Sequence, residues 1–408
     1  MNKAYKIKLY PNNKQKELID KTIGCSRFIY NKMLNEKIEI YGQFKELKIS
    51  KEELYNYKYK TEKEYKKEFE FLKEASSRAL QQSRQDLNSA FQNFYKGLKK
   101  KSKVGFPKFK SKHNVKWGYR EPQVANQIRI KDNKINLLKI GFINFRGLSK
   151  NFNGIIKSVT IIKNRDFTYE ASILVECKQI IKPRVSNNKI GCDLGLKEFL
   201  VCSNGYSFKG IKTELFEIEK LIKKQSKHLS RKKRGSKNYE LCRIKLAKIY
   251  KYKTNFQNNY FWHLSNKLCS ENQTIILEDL HVKGMIKNRK LSHSIFYSGW
   301  SKFKIILEQK AFEYNTEIKY VDRFFPSSKL CSSCGGLKDK LSLSERDYIC
   351  ECGLSLDRDL NAAINILNFH SPEYGENRCG EIIRPIEYNS NGSFYEASRE
   401  IIERNIFL

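Results

Sequence analysis

Cys331 and Cys334 form a C-x2-C pair, and after fifteen intervening residues Cys350 and Cys352 form a C-x-C pair. Thiolates at this spacing can close a tetrahedral zinc site that staples a loop too short for a core of its own. Gly335 and Gly353 follow the two pairs, where each knuckle must turn, and Leu341-Ser-Leu343 between them alternates like a short strand. The second pair has one intervening residue where a zinc ribbon has two, which narrows that knuckle and leaves the fourth ligand open. One structural Zn2+ is expected.

Immediately downstream, Asp357-Arg-Asp359-Leu-Asn-Ala-Ala-Ile-Asn-Ile-Leu367 reads as the start of a helix. Asp357 suits the N-cap, because its carboxylate can accept from the first free backbone N–H groups. Leu360, Ala363, Ile364 and Leu367 recur at helical spacing as a buried stripe. Asp359 falls in the first turn. A carboxylate there either complements the helix dipole or is a ligand aimed into a cleft, and this segment alone does not separate the two.

The 408 residues carry 79 Lys and Arg against 44 Asp and Glu, a net charge of +35 with a pI near 9.6. So large an imbalance raises self-repulsion without helping the fold. A polyanion partner accounts for it, nucleic acid before a membrane surface. The chain holds no apolar run of the roughly eighteen residues a membrane helix needs, and MNKAYKIKLY lacks a signal-peptide core. Its eleven cysteines fit reduced thiols plus one metal site rather than a disulfide framework. The expectation is a soluble cytoplasmic protein of prokaryotic type, nucleoid-associated when bound to DNA.

The elements that would position these residues follow in order. Residues 4–10 alternate as a half-buried strand, with Tyr5, Ile7 and Leu9 on one face. A long helix starts at Pro11-Asn-Asn13, and the Lys-, Glu- and Tyr-rich stretch 45–72 continues helical. A better-patterned helix runs over 74–98, with Leu80, Leu87, Phe91, Phe94 and Leu98 inward. Arg78, Gln82 and Arg84 cover its outer face, which beside a polyanion would contact phosphates and base edges. From Lys99 to Lys112 there are seven lysines and no acid. Lys99, Lys100, Lys101, Lys103, Lys108 and Lys110 can neutralise phosphates while Phe106 and Phe109 stack on unpaired bases. Strand pairs follow at 127–130 with 134–138 and at 155–162 with 168–176. With the first strand they make a small β-barrel interrupted by the helices.

Lys189-Ile-Gly-Cys-Asp193-Leu-Gly195 begins a strand, turn, strand and Asn204-Gly205 turn, then a third strand. Residues 213–268 are helical and basic, with Arg231, Lys232, Lys233 and Arg234 at a bend offered to nucleic acid. A buried strand over 273–278 ends in Glu278 and Asp279, and a helix over 300–312 leads to a fifth strand over 317–322. Three antiparallel strands, helices, a strand, a helix, a strand, the cysteine module and a last helix match the RNase H-like fold. In that layout Asp193, Glu278 and Asp359 meet at one edge. Three carboxylates cannot crowd in a dry cleft unless cations neutralise them. Two Mg2+ ions about 4 Å apart would do so and would drive phosphodiester hydrolysis. Oxygen ligands suit Mg2+ or Mn2+ and disfavour zinc there.

GCDLGLKEFL, IILEDLHVKGM, CSSCG and LDRDLNAAINIL, with KIKLYPNNKQKELIDKTIGCSRFIYN and FPKFKSK, resemble the TnpB family of transposon-encoded RNA-guided nucleases related to type V CRISPR effectors. The resemblance covers nearly the whole chain. It implies an α+β multidomain protein: a β-barrel wedge domain over 1–10 and 121–185, interrupted by a helical recognition domain over 11–120. A RuvC-like nuclease domain over 186–326 and 354–370 would follow, with a zinc module inserted at 327–353 and a tail over 371–408. By motif match Asp193 and Glu278 take the first two catalytic places and Asp359 the third, with Asp357 as alternate. The resemblance also implies a guide RNA made from the transposon end and double-stranded target DNA with a short adjacent motif. Two rival readings are a catalytically silent RNA-guided DNA-binding repressor and a transposase acting without RNA. Retention of all three acids argues against the first.

Overall fold

The computed structural model describes residues 2–100, 104–112, 117–148, 152, 154–178, 181–342 and 345–369. Lys101, Lys103, Leu343 and the tail from residue 371 lie outside them. The chain divides into two compact units, Met1–Lys178 and Gln179–Leu408. No helix among the described residues is long and apolar enough to cross a membrane.

In the first unit, β1 (Asn2–Tyr10) buries Ile7 and Leu9 and turns Lys6 and Lys8 outward. Helix α1 (Asn13–Lys45) starts where Asn12 and Gln15 cap each other: Asn12 Oδ1 accepts from the Gln15 N–H at 2.9 Å, and Gln15 Oε1 from the Asn12 N–H at 3.0 Å. The Lys- and Glu-rich stretch becomes two short helices, α2 (Lys51–Asn56) and α3 (Glu62–Glu68), and a 3-10 turn before α4 (Ser77–Lys99). Then come β2 (Trp117–Pro122), β3 (Ile130–Lys131), β4 (Lys134–Leu137), β5 (Gly141–Arg146), β6 (Ile155–Lys163) and β7 (Tyr169–Glu176).

These strands form one antiparallel seven-stranded sheet in the order β2-β6-β7-β1-β5-β4-β3. Buried residues of β2, β4, β5, β6, β7 and β1 join one cluster to which the helices add only Ile19, Ile23 and Ala79. The strands' inner faces share that one core. β2 starts at Trp117, inside the stretch the sequence reading gave to the helices, and β5 was not anticipated. A separate helical core gathers Ile29, Met33, Leu34, Leu72, Leu80 and Leu87. Leu98, expected inward, is 57% exposed in the last turn of α4, beyond the reach of that core.

In the second unit, β8 (Asn188–Asp193), β9 (Leu200–Cys202) and β10 (Ser207–Phe208) are antiparallel and precede two long basic helices, α5 (Lys212–Ser230) and α6 (Lys237–Glu271). β11 (Asn272–Glu278) follows, then two short helices that the sequence reading lacked, α7 (Val282–Met285) and α8 (Ser292–Ser298). α9 (Trp300–Tyr314) leads into β12 (Glu317–Val321). The cysteine region contributes a hairpin, β13 (Asp347–Ile349) with β14 (Ser355–Asp357), before α10 (Arg358–Asn368). Among the described residues, these hairpin strands and an antiparallel bridge between Leu330 and Leu337 are the module's β-structure. Residues 181–185, read with the first half, bond to the second unit: the Lys182 N–H donates to Glu313 O at 3.0 Å and the Val185 N–H to Ser270 O at 2.6 Å.

The five-stranded sheet has the order β10-β9-β8-β11-β12, with β8, β11 and β12 mutually parallel. This is the mixed sheet expected from the element order. Alternation decides what each face carries. Ile190, Cys192, Ile275 and Leu277 point into an aromatic core with Phe199, Phe261 and Phe303. Ile276 and Val321 point the other way, to Ile366 of α10. Gly191, Asp193 and Glu278 share that second face.

Candidate active site and metal centre

Cys192 and Leu277 are register partners on parallel neighbours, so Asp193 and Glu278, one step further along, end adjacent strands on the same face. Neighbouring strands lie about 4.8 Å apart, which makes the two carboxylates neighbours. The third element arrives through a missing side chain. A Cβ on Gly191 would stand 2.2 Å from Ala363 O and 2.5 Å from Leu367 N, so α10 rests directly on the β8 backbone. Asp359 lies one helical turn before Ala363, and Asp193 two residues beyond Gly191; each is about 6 Å from that contact along its own element. Burial, then the charges of Glu278 and Asp359, push the Asp193 carboxyl well above its usual range, with Arg358 opposing. Glu278 is also raised by burial, against the hydrogen bond that Ser327 Oγ donates to its Oε1 at 2.5 Å.

Gly191→Val is expected to force α10 off the sheet. The collision is with backbone atoms, which cannot rotate away, and overpacking of this kind costs about 1–3 kcal/mol. A lowered unfolding midpoint checks it. An unchanged midpoint would mean that the helix does not rest there.

Arg358 Nε lies 3.4 Å from Asp359 Oδ1, and Arg346 Nη1 lies 3.9 Å from its Oδ2. Neither arginine was singled out from the sequence. Asp357 has the other job: its Oδ1 accepts from the Asp359 and Leu360 N–H groups at 2.9 and 3.0 Å. It is the exposed cap, as the sequence suggested. Asp279, next to Glu278, is held by Lys304 at 3.4 Å and Arg323 at 3.1 Å.

The stripe expected on α10 is displaced. Asn361, Ala362, Ala363, Asn365 and Ile366 are buried, while Leu360, Ile364 and Leu367 are only half-buried. The reason is that a chain segment, besides the sheet, covers the helix. Asn361 Nδ2 donates to Leu330 O at 2.7 Å and its Oδ1 accepts from the Ser332 N–H at 3.0 Å. Asn365 Nδ2 donates to Ser327 O at 2.8 Å and Leu330 O at 2.7 Å. Two asparagines one turn apart on a buried helix face were the signal for this clamp. It joins the approach to the first cysteine knuckle to the helix that carries Asp359.

All four cysteine sulfurs gather, with every ligand atom within 4.8 Å of the others. Cys331 and Cys352 Sγ are 3.7 Å apart, and Cys334 and Cys350 Sγ 3.6 Å. A tetrahedron with Zn–S bonds of about 2.3 Å has edges of about 3.8 Å, so the set fits a structural zinc ion. The short C-x-C pair therefore does supply its second sulfur. Gly335 and Gly353 take φ of +72° and +91°, the turn each knuckle needs. Buried Tyr348 braces the module from inside, donating to Lys329 O at 2.9 Å.

Of the residues offered to nucleic acid, Lys99, Lys100, Phe106, Lys108, Phe109, Arg231, Lys232, Lys233 and Arg234 are exposed. Arg78 is half-buried, and Arg84 Nε lies 3.4 Å from buried Glu62. Phe106 leans edge-on against Phe91 and Phe94, its ring centre 5.4 Å from each. Lys110 is folded over the Tyr30 ring at 3.9 Å, where burial lowers its pKa. Gln82 is a correction: it is 5% exposed and donates to Asp86 Oδ1 at 2.9 Å, because its side of α4 faces inward.

Three family profiles match the chain: "Helix-turn-helix domain" at residues 1–46, "Probable transposase" at 172–289, and "Cas12f1-like, TNB domain" at 300–366. The first corresponds here to β1 and α1, a strand and one long helix. A Streptomyces pristinaespiralis protein named "Putative RNA-guided DNA endonuclease" is 32% identical over 94% of this chain and 92% of its own length. "Putative RNA-guided DNA endonuclease InsQ" of Escherichia coli K12 is 26% identical over 93% of this chain and 94% of its own. Among solved structures, the protein of a Cas12f1-sgRNA-target DNA complex aligns with a TM-score of 0.53 and 18% identity, covering 88% of this chain and 83% of that one. That likeness extends to the fold.

Proposed function

The chain belongs to the TnpB family, and from that premise we propose that it is a transposon-associated RNA-guided DNA endonuclease that hydrolyses phosphodiester bonds at Asp193, Glu278 and Asp359. One observation carries the assignment of the site: the parallel register and the Gly191 contact bring three carboxylates, from two strands and a helix, to one sheet edge. Most strand-end acids are simply solvated. Here the charges of Glu278 and Asp359 add to burial in pushing the Asp193 carboxyl up, which is what a pocket built for cations would do to its acids in their absence.

Magnesium or manganese ions held by these carboxylates would supply the charge that lets all three ionise together and would act as Lewis acids toward the phosphate. The chain's own residues do the rest. Ser327 keeps the Glu278 carboxylate turned into the pocket. Arg358 and Arg346 steady Asp359. Lys304 and Arg323 neutralise Asp279, so no fourth negative charge faces the incoming phosphate. The exposed Lys99, Lys100 and Lys108 and the exposed run 231–234 are read as sequence-independent grips on nucleic-acid backbone. Target choice would be delegated to pairing with a guide RNA from the transposon end. The seven-stranded sheet is read as the wedge domain, α1 to α4 as the recognition domain, and the cysteine module as an insertion in a RuvC-like nuclease.

The test is RNA dependence. Protein purified with its copurifying RNA is expected to cut double-stranded DNA matched to that RNA in Mg2+, and to stop cutting after RNase treatment. Strand joining by RNA-free protein would replace this reading with a transposase. Guide-dependent binding without cutting would replace it with a repressor.

A further inference from the structure

Phe324 is 85% exposed, the most exposed aromatic side chain among the described residues. Scattered surface apolar residues need no explanation, but this one is held out by a built loop. Its N–H donates to Asp322 Oδ1 at 2.8 Å, and the Phe325 N–H to Asp322 O at 3.0 Å. Its neighbour Phe325 turns inward onto Phe369, with ring centres 4.6 Å apart. The loop is pinned on both sides to the end of β11: Arg323 bonds Asp279 at 3.1 Å, and Ser327 bonds Glu278 at 2.5 Å. The ring therefore stands on the rim of the carboxylate pocket, three residues from a side chain that touches one of its acids.

We propose that Phe324 stacks on a nucleobase of the single strand whose phosphate enters the pocket, and so sets which nucleotide reaches it. The inference rests on the nuclease reading above. A strand presented for hydrolysis is unpaired, with π-faces free, and aromatic stacking is tolerant of base identity. That is what an enzyme choosing its target by guide pairing needs at its cutting site. The cations Arg323 and Lys304, which cancel Asp279, leave the rim free of repulsion toward a polyanion. A protein partner would find here one ring rather than an apolar patch.

The experiment uses the full chain with its copurified RNA and three variants, Phe324→Ala, Phe324→Leu and Phe324→Trp. Loss of stacking on one base lowers single-strand cleavage roughly ten- to hundredfold. Alanine and leucine are expected to show that loss and tryptophan to keep the rate, with unfolding midpoints unchanged because the side chain is solvent-borne. In an Asp193→Ala background, 2-aminopurine placed beside the cut is expected to be quenched on binding, and unquenched when Phe324→Ala is added. Wild-type cutting by the alanine or leucine variant, or quenching that survives Phe324→Ala, overturns the stacking role and leaves the nuclease standing. Cutting by the Asp193→Ala protein at close to the parent rate overturns the placement of the hydrolytic pocket instead.

Discussion

Asp193→Ala is expected to lower cleavage of a guide-matched target by about three orders of magnitude or more, with RNA and target binding left intact. Asp193 ends the strand under α10 and feels both Glu278 and Asp359. Its loss removes a ligand from the centre of the set, where the others cannot substitute. Binding should persist because the exposed basic residues lie elsewhere in the sequence, at Lys99, Lys100, Lys108 and 231–234. Without divalent ions the variant should melt no earlier than the parent, since like charges crowded in a half-buried pocket are relieved when one is removed. Single-turnover cleavage, a binding titration and a thermal melt check the three statements. Glu278→Gln and Asp359→Asn should each cost a comparable factor, and combining either with Asp193→Ala should add little, because groups that act as a unit are not additive. Cutting by Asp193→Ala within about tenfold of the parent rate would mean the hydrolytic pocket is elsewhere.

Much of this site could be read before the fold was seen, because it is written in short-range patterns. Alternation marks β1, a short apolar run marks β11, and the acids at 193 and 278 fall where β8 and β11 stop. Asp357 and the helix behind it follow local capping rules. The four cysteines carry their own geometry in their spacing. What could not be read depends on packing from a distance. Gly191 looks like any strand glycine until α10 lies on it. Asn361 and Asn365 break an apolar stripe, and only the carbonyls of Ser327 and Leu330 explain why. Gln82 carries a polar side chain on a face that α4 turns inward. β5 and the two short helices before α9 lack strong periodicity of their own, and their neighbours decide them.

The clamp makes a second large effect predictable, one that begins at the zinc module and reads out at the acids. Residues 327–332 touch Glu278 through Ser327 Oγ, α10 through Asn361 and Asn365, and the metal centre through Cys331 itself. In a loop with almost no core beyond Tyr348, the zinc site is the main source of order, and structural zinc is worth about 10–16 kcal/mol of apparent binding free energy in small zinc-dependent domains. The parent protein is expected to hold about one zinc per chain by elemental analysis. Cys331→Ser should lose it, and cleavage should fall at least about tenfold, because a slack segment no longer holds Glu278 and the first turn of α10 together. Cys242→Ser, at a buried cysteine outside the cluster, should keep the metal. Dialysis of the parent against a chelator, followed by Mg2+ in excess, should reproduce the Cys331→Ser defect, and zinc should restore the parent alone. A zinc-free protein that remains folded and cuts at full rate would show that the acids are held together by the sheet and α10 without help from the cysteine module.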